Sequence, residues 1–161
     1  MTRGTVLATA TGLGHRLRHY PPEICLSNSP SRCDPYFLTP FVGSLFEGFV
    51  AAEIAKAQVN AGRRREIYFF RDQQRLEVDF VVPRRGGGVR LIEVNASSTV
   101  MPGMAGPMQR LAAALRKRAR ARGTVDMVVV HRPTRAGTTS TALAPGVRAL
   151  PWQRFVTDPL A

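Results

Sequence analysis

The sequence predicts an α/β domain, a mixed sheet with helices on its faces. Three stretches carry that prediction. In "PFVGSLFEGFVAAEIAKAQVNAG", Leu45, Phe46, Phe49, Val50 and Ile54 recur at three- and four-residue intervals, the period of an amphipathic helix. From Arg65 to Ala96, three short runs rich in β-branched and aromatic residues are separated by the turn formers "RDQQR" and "RRGGG". "TVDMVVV" is apolar almost throughout, as a strand buried on both faces is, and it follows a second helical stretch.

The elements follow in order. Residues 1–39 form an N-terminal segment, with a short helix over Thr11 to Tyr20 and an irregular stretch from Pro21 to Pro40, where Pro, Ser, Asn and Asp are dense. Residues 40–161 form the main domain. Pro40 opens the first long helix and Asn60 to Gly62 stop it. Strands are expected over Arg65 to Phe70, Leu76 to Pro83 and Val89 to Ala96. Pro107 starts the second helix and Gly123 ends it. Thr124 to Val130 is the fourth strand, and "GVRALPWQRFV" supplies a last short strand and a cap over the core.

A chain of 161 residues can bury a core without a metal or disulfide to hold it. Cys25 and Cys33 have neither zinc-site spacing nor a disulfide framework, and they read as free thiols of a reducing cytoplasm. His15 and His19 lie four apart but are interleaved with Arg16 and Arg18, the pattern of a solvated helix face. No run is apolar enough for a secretion signal or a membrane span, so a cytoplasmic protein with no membrane partner is expected.

The net charge of +12 points to a polyanionic partner, since clustered cations gain affinity for phosphates by releasing counterions. Nearly all of that charge is Arg, because Lys56 and Lys117 are the only lysines, and a GC-rich coding sequence would give the same bias. In the second helix Arg110, Arg116, Lys117, Arg118, Arg120 and Arg122 surround a narrow stripe of Leu111, Leu115 and Ala119. This face can track a phosphate backbone or simply be solvated.

Two acids stand where a sheet core would be apolar. Alternation along a strand puts Glu77, Asp79 and Val81 on one face and Val78, Phe80 and Val82 on the other, while Leu91, Glu93 and Asn95 share a face of the next strand. If Arg84 pairs with Gly88 across a three-residue turn, Asp79 falls directly opposite Glu93. Such carboxylates repel unless one is protonated or a cation lies between them. Mg²⁺ suits the arrangement, since it takes one or two carboxylates and leaves its other positions to water and phosphate. The plainer alternative is the wet face of a half-exposed hairpin.

The stretches "LFEGFVAAEIAKA", "IYFFRDQQRLEVDFVV", "RLIEVNASST" and "ALPWQRFV", in that order, resemble the C-terminal domain, catalogued as of unknown function, of prokaryotic AAA-type ATP-binding proteins. That domain is similar to the PD-(D/E)xK restriction-endonuclease-like fold. The resemblance implies that Asp79 matches the first motif acid, Glu93 the acid of the ExK motif, and Glu47 the first-helix glutamate that completes a Mg²⁺ or Mn²⁺ site. Asn95 stands where the motif has lysine. In such sites the lysine orients the attacking water and offsets charge on the phosphoryl group. Arg71, Arg90 or Lys117 would have to bring that charge from elsewhere.

Two functions follow from the resemblance. The favoured one is a non-catalytic module that binds nucleic acid, through Arg71, Arg90, Arg116, Lys117 and Arg120, or docks an AAA-type ATPase partner. The alternative is a metal-dependent nuclease with Asp79 and Glu93 as ligands. No GxxxxGK[ST] stretch is present, so no ATP site is expected in this chain. The chain then stands as a detached or free-standing copy of the domain.

Overall fold

A computed structural model of the chain describes residues 6–9, 35–118, 123–133 and 141–160. The expected helix over Thr11 to Tyr20, both cysteines, His15, His19, Arg120 and Arg122 lie outside the described residues.

The first helix, α1 (Pro35–Asn60), begins five residues before Pro40, so the stretch up to Pro40 is not irregular throughout. Pro40 is therefore a residue of the helix and not its opening; proline also tolerates the first turn, and Pro35 occupies that position. Phe46, Val50 and Ile54, spaced by four, are buried against the sheet together with Ala51. The stop is the one the sequence predicts. Gly62 adopts φ +66°, and the N–H groups of Gly62 and Arg63 return to the carbonyls of Val59 and Gln58, a Schellman-type closure. The buried Gln58 then holds the departing chain: its Nε2 donates to Glu66 O and its Oε1 accepts from Glu66 N–H.

Among the described residues seven strands form one mixed sheet in the order β1-β2-β3-β4-β5-β7-β6. They are β1 (Val6–Thr9), β2 (Tyr68–Arg71), β3 (Glu77–Pro83), β4 (Val89–Asn95), β5 (Val125–His131), β6 (Thr141–Ala144) and β7 (Val147–Pro151). The strands β4, β5 and β7 run parallel, and the remaining pairings are antiparallel. The second helix, α2 (Gly106–Arg118), connects β4 to β5 after a 3₁₀ turn at Pro102–Ala105, and α3 (Trp152–Thr157) follows β7. The sheet separates two apolar layers. Phe80, Val82, Ile92, Val128 and Val130 pack with α1 and Phe155, while Leu91, Met127, Val129 and Val147 pack with Met108, Leu111 and Ala112 of α2. The central strands β4 and β5 are thus covered on both faces, which is why they read as apolar runs.

The glycine run "RRGGG" has two separate jobs. Gly86 and Gly87 sit at φ +85° and +86°, where an L side chain is strained. Gly88 and Gly123 instead permit close passage of the hairpin past the chain that enters β5: a Cβ on Gly88 would lie 2.6 Å from Thr124 O, and one on Gly123 would collide with the carbonyl of Gly87. Both obstacles are backbone and cannot swing aside. We expect Gly123→Ala to destabilise the fold by about 1–3 kcal/mol, the range for forced overpacking. Gly43→Ala, at an open helical position, should be neutral or stabilising. Paired urea denaturation curves check this, and equal midpoints for the two variants would refute it.

Candidate functional site

The hairpin register is the one the three-residue turn predicts. Arg84 N–H donates to Gly88 O at 2.8 Å, and the ladder continues as Pro83↔Val89, Val82↔Arg90, Val81↔Leu91 and Phe80↔Ile92. There it stops. Hydrogen-bonded pairs alternate along an antiparallel ladder, so after Phe80 and Ile92 the next would join Val94 N–H to the carbonyl of Val78. Instead Val94 N–H donates to Asp79 Oδ2 at 2.7 Å. The carboxylate takes the place of a backbone acceptor where β3 and β4 part.

A β-bulge lies beside the parting. Tyr68 of β2 pairs with Val81 but Phe70 pairs with Val78, leaving one more residue of β3 than of β2 between the two pairs. The strict alternation expected for β3 therefore fails at Asp79: Val78 joins the α2 layer while Phe80 and Val82 join the α1 layer. Val78, Phe80 and Val82 do not share a face, and Asp79 sits at the switch.

Four carboxylates feel one another across this gap. Burial, opposed by the Val94 hydrogen bond and reinforced by Glu47 and Glu77, pushes Asp79 up to about 6. Burial, with Asp79, Glu47 and Glu77 adding to it, pushes Glu93 up to about 8. Glu47, on α1, is raised by burial and by Glu77. Glu93 Oε2 is buried without a hydrogen-bond partner. Among the described residues no three His, Cys, Asp or Glu side chains converge closely enough to hold a metal, so Glu47, Asp79 and Glu93 do not form a closed ligand set.

The raised values have a consequence for stability. Between an unfolded value near 4.5 and a folded value of about 8, the folded state holds a Glu93 proton that the unfolded state has lost. Stability contributed by this group therefore falls as pH rises through that window. Glu93→Gln should match the parent at pH 4 and exceed it at pH 9, by about 1–2 kcal/mol once solvent screening is allowed for. Urea midpoints at the two pH values measure this; a variant less stable than the parent at pH 9 would contradict it.

Asn95 closes β4 and is engaged at both ends of its amide. Its Oδ1 accepts Ser97 N–H at 2.8 Å, and its Nδ2 donates to Met104 Sδ of the 3₁₀ turn at 2.9 Å. An asparagine here does local turn work, in keeping with the habit of Asn at strand ends and turns. The register of β4 with β5 sets it beside His131.

The expected nucleic-acid contacts divide. Arg90 is buried, 3% exposed, with Nη2 2.6 Å and Nε 2.7 Å from Asp126 and Nη1 donating to Pro159 O at 3.1 Å. It is an internal ion pair and not a phosphate contact. Arg71 is exposed and stands 4.0 Å from Glu77. Arg116 and Lys117 are exposed on the last turns of α2. Sequence reasoning ends the fourth strand at Val130 and so misses His131, which extends β5, is 6% exposed, and holds a buried Nδ1 without a partner. Burial lowers its pKa, which keeps the ring neutral.

No helix among the described residues is long and apolar enough to cross a membrane. A family model described as a domain of unknown function (DUF4143) matches residues 42–152. Neither curated proteins nor solved structures give a match.

Proposed function

The chain belongs to the DUF4143 family of domains of unknown function, and we propose that it is a nuclease-like module that binds nucleic acid without cleaving it. The observation that carries this reading is the state of Asn95. A phosphodiesterase site of the PD-(D/E)xK kind needs a cation at this position to balance charge on the phosphoryl group. Here the position holds a neutral amide, and both its ends are spent on Ser97 and Met104. Arg90, which could have replaced the charge, is sequestered by Asp126.

A second reading, a metal-dependent nuclease, is favoured by one specific feature. The unpartnered Glu93 Oε2 beside Asp79 offers hard oxygen donors, and Mg²⁺ is satisfied by two carboxylates with water completing its shell. Asp79 and Glu93 are the residues that would hold the ion. When bound, such an ion polarises a phosphate and lowers the pKa of its water. The chain's own part is to keep Asp79 fixed through Val94 N–H and to release the Glu93 proton as the ion enters.

Supercoiled plasmid incubated with Mg²⁺ or Mn²⁺ separates the readings. The expected result is intact plasmid at all times together with a mobility shift on native gels. Nicking that disappears in Asp79→Ala would overturn the non-catalytic reading.

A further inference from the structure

Six cations of this chain, scattered in sequence, are gathered in space. Arg63 ends the turn after α1 and its Nη2 donates to Pro83 O at 3.0 Å, which sets it beside the β3–β4 hairpin. Arg84 and Arg85 belong to that hairpin turn, Arg148 lies at the start of β7, and Arg116 and Lys117 close α2. All six lie at the end of the sheet where the parallel strands β4, β5 and β7 begin. The coupled acids Asp79 and Glu93 lie at the opposite end, toward the finish of β4. The molecule thus has a basic pole and an acidic pole.

At the basic pole the charge is not neutralised internally. Asp126 is met by Arg90, by Arg148 Nη2 at 3.1 Å and by Arg84 Nη1 at 3.4 Å, so three guanidinium groups share one carboxylate and two positive charges are in excess. Arg90 is buried, but the Arg148 side chain is 50% exposed and keeps donors free for an outside acceptor. Nearby, a cavity of about 180 Å³ lies between the hairpin turn and the end of α2, lined by Gly87, Gly88, Thr124 and Arg116. Its exposed Gly87 leaves the backbone open to close approach by a ligand.

We propose that this basic pole, and not the carboxylate cluster, is the surface on which nucleic acid lies, held through its backbone phosphates. The inference deepens the nucleic-acid reading above and rests on it. Guanidinium forks fixed at one end by a carboxylate suit phosphate oxygens, which they meet in bidentate fashion. A protein partner would want an apolar or aromatic anchor at the centre of the patch. Of the large exposed apolar side chains, Leu45, Phe49, Phe69 and Met101 belong to other surfaces, and Val59, at the turn that carries Arg63, is a single aliphatic group and not an aromatic anchor. At the opposite end the Asp79 carboxylate disfavours the same backbone, while Glu93, kept protonated by burial, adds no charge at neutral pH and no cation to attract a phosphate. The fold then binds nucleic acid in an orientation that leaves its carboxylates unused.

Fluorescence anisotropy of the full chain with labelled duplex DNA and duplex RNA, between about 50 and 200 mM salt, tests this with two charge-matched variants. Arg85→Glu with Lys117→Glu alters the basic pole; Arg75→Glu with Arg132→Glu makes the same charge change near the acidic pole. Circular dichroism verifies that both fold. The expected result is at least a tenfold loss of affinity for the first variant, with the salt slope reduced by about 2, at roughly 0.9 for each phosphate no longer neutralised, and less than a threefold loss for the second. Equal losses would show that only net charge matters, and a larger loss for the second would place the nucleic acid over the carboxylates; either overturns the basic pole while leaving nucleic-acid binding intact. Absence of binding by the unmodified chain at the lowest salt would overturn the nucleic-acid reading itself, and capture of polyglutamate instead would assign the pole to an acidic protein.

Discussion

Asp126→Ala should cost about 3–5 kcal/mol of stability, the range for breaking a buried ion pair from one side. The size follows from what the substitution leaves behind. Arg90 is only 3% exposed, and without Asp126 its guanidinium keeps the carbonyl of Pro159 as acceptor but has no counter-charge. Arg84 and Arg148 would then face it with no carboxylate between them. At roughly 2–4 °C per kcal/mol for a domain of this size, the melting temperature should fall by about 10 °C. Burial alone would raise the Asp126 pKa, but Arg90 and Arg148 outweigh it and the group titrates below its ordinary value of 3.8. Its contribution is therefore complete above the ordinary value and is lost as pH falls through the folded one. The deficit of the variant should shrink in acid and be constant from pH 6 upward. Denaturation curves at pH 3 and pH 7 check both statements; a deficit below about 1 kcal/mol at pH 7 would mean that water reaches Arg90 and that the pair is a surface one.

That cluster also shows where sequence reasoning stops. The alternation "VRLIEV" assigns Arg90 to a strand, but in a strand covered on both faces the alternation no longer separates inside from outside. An arginine there reads as a surface cation, and its burial depends on Asp126, thirty-six positions away. The β3–β4 register, by contrast, is legible, because the turn length from Arg84 to Gly88 fixes the pairing of every residue down to Phe80 and Ile92. Legibility ends at the bulge. Nothing in "EVDFVV" marks Asp79 as the point where the strand changes face, since the bulge is defined against β2 and not by a local glycine. The start of α1 is hidden for a local reason: Pro40 looks like a first-turn proline when Pro35 already fills that place. The short edge strands β1 and β6 have too few residues to show a period, and the basic pole is assembled from separate turns and helix ends.

The second large effect is expected at Asn95. Supplying the missing positive charge beside a phosphoryl group typically changes the rate by about 10²- to 10³-fold, so Asn95→Lys tests the orientation: with nucleic acid on the basic pole plasmid stays intact, and slow nicking with Mg²⁺ or Mn²⁺ would bring a phosphate to the carboxylates and overturn that orientation. Two local effects act on the variant. Lysine cannot accept Ser97 N–H or hold Met104 as the amide does, which should cost about 1 kcal/mol of stability. In return, the new ammonium lies on the same strand face as Glu93 and favours its ionised form, undoing part of the shift that burial imposes. An ionised Glu93 is the form that a cation can use, but the ammonium also repels the entering ion, so metal affinity should fall in the variant, and fall further at pH 9, where the parent has already lost the proton. Calorimetric titration with Mn²⁺ at pH 7 and pH 9 reads that difference without relying on activity. Any nicking must disappear in the double variant Asn95→Lys with Asp79→Ala, because added lysine also strengthens plain binding and can imitate activity. If Asn95→Lys binds Mn²⁺ yet leaves plasmid intact, the carboxylates lie beyond the reach of any phosphate, as the basic-pole orientation requires. If it neither binds the ion nor cleaves, the acids at the β3–β4 gap serve the fold alone, with Asp79 acting as the acceptor that lets the two strands part.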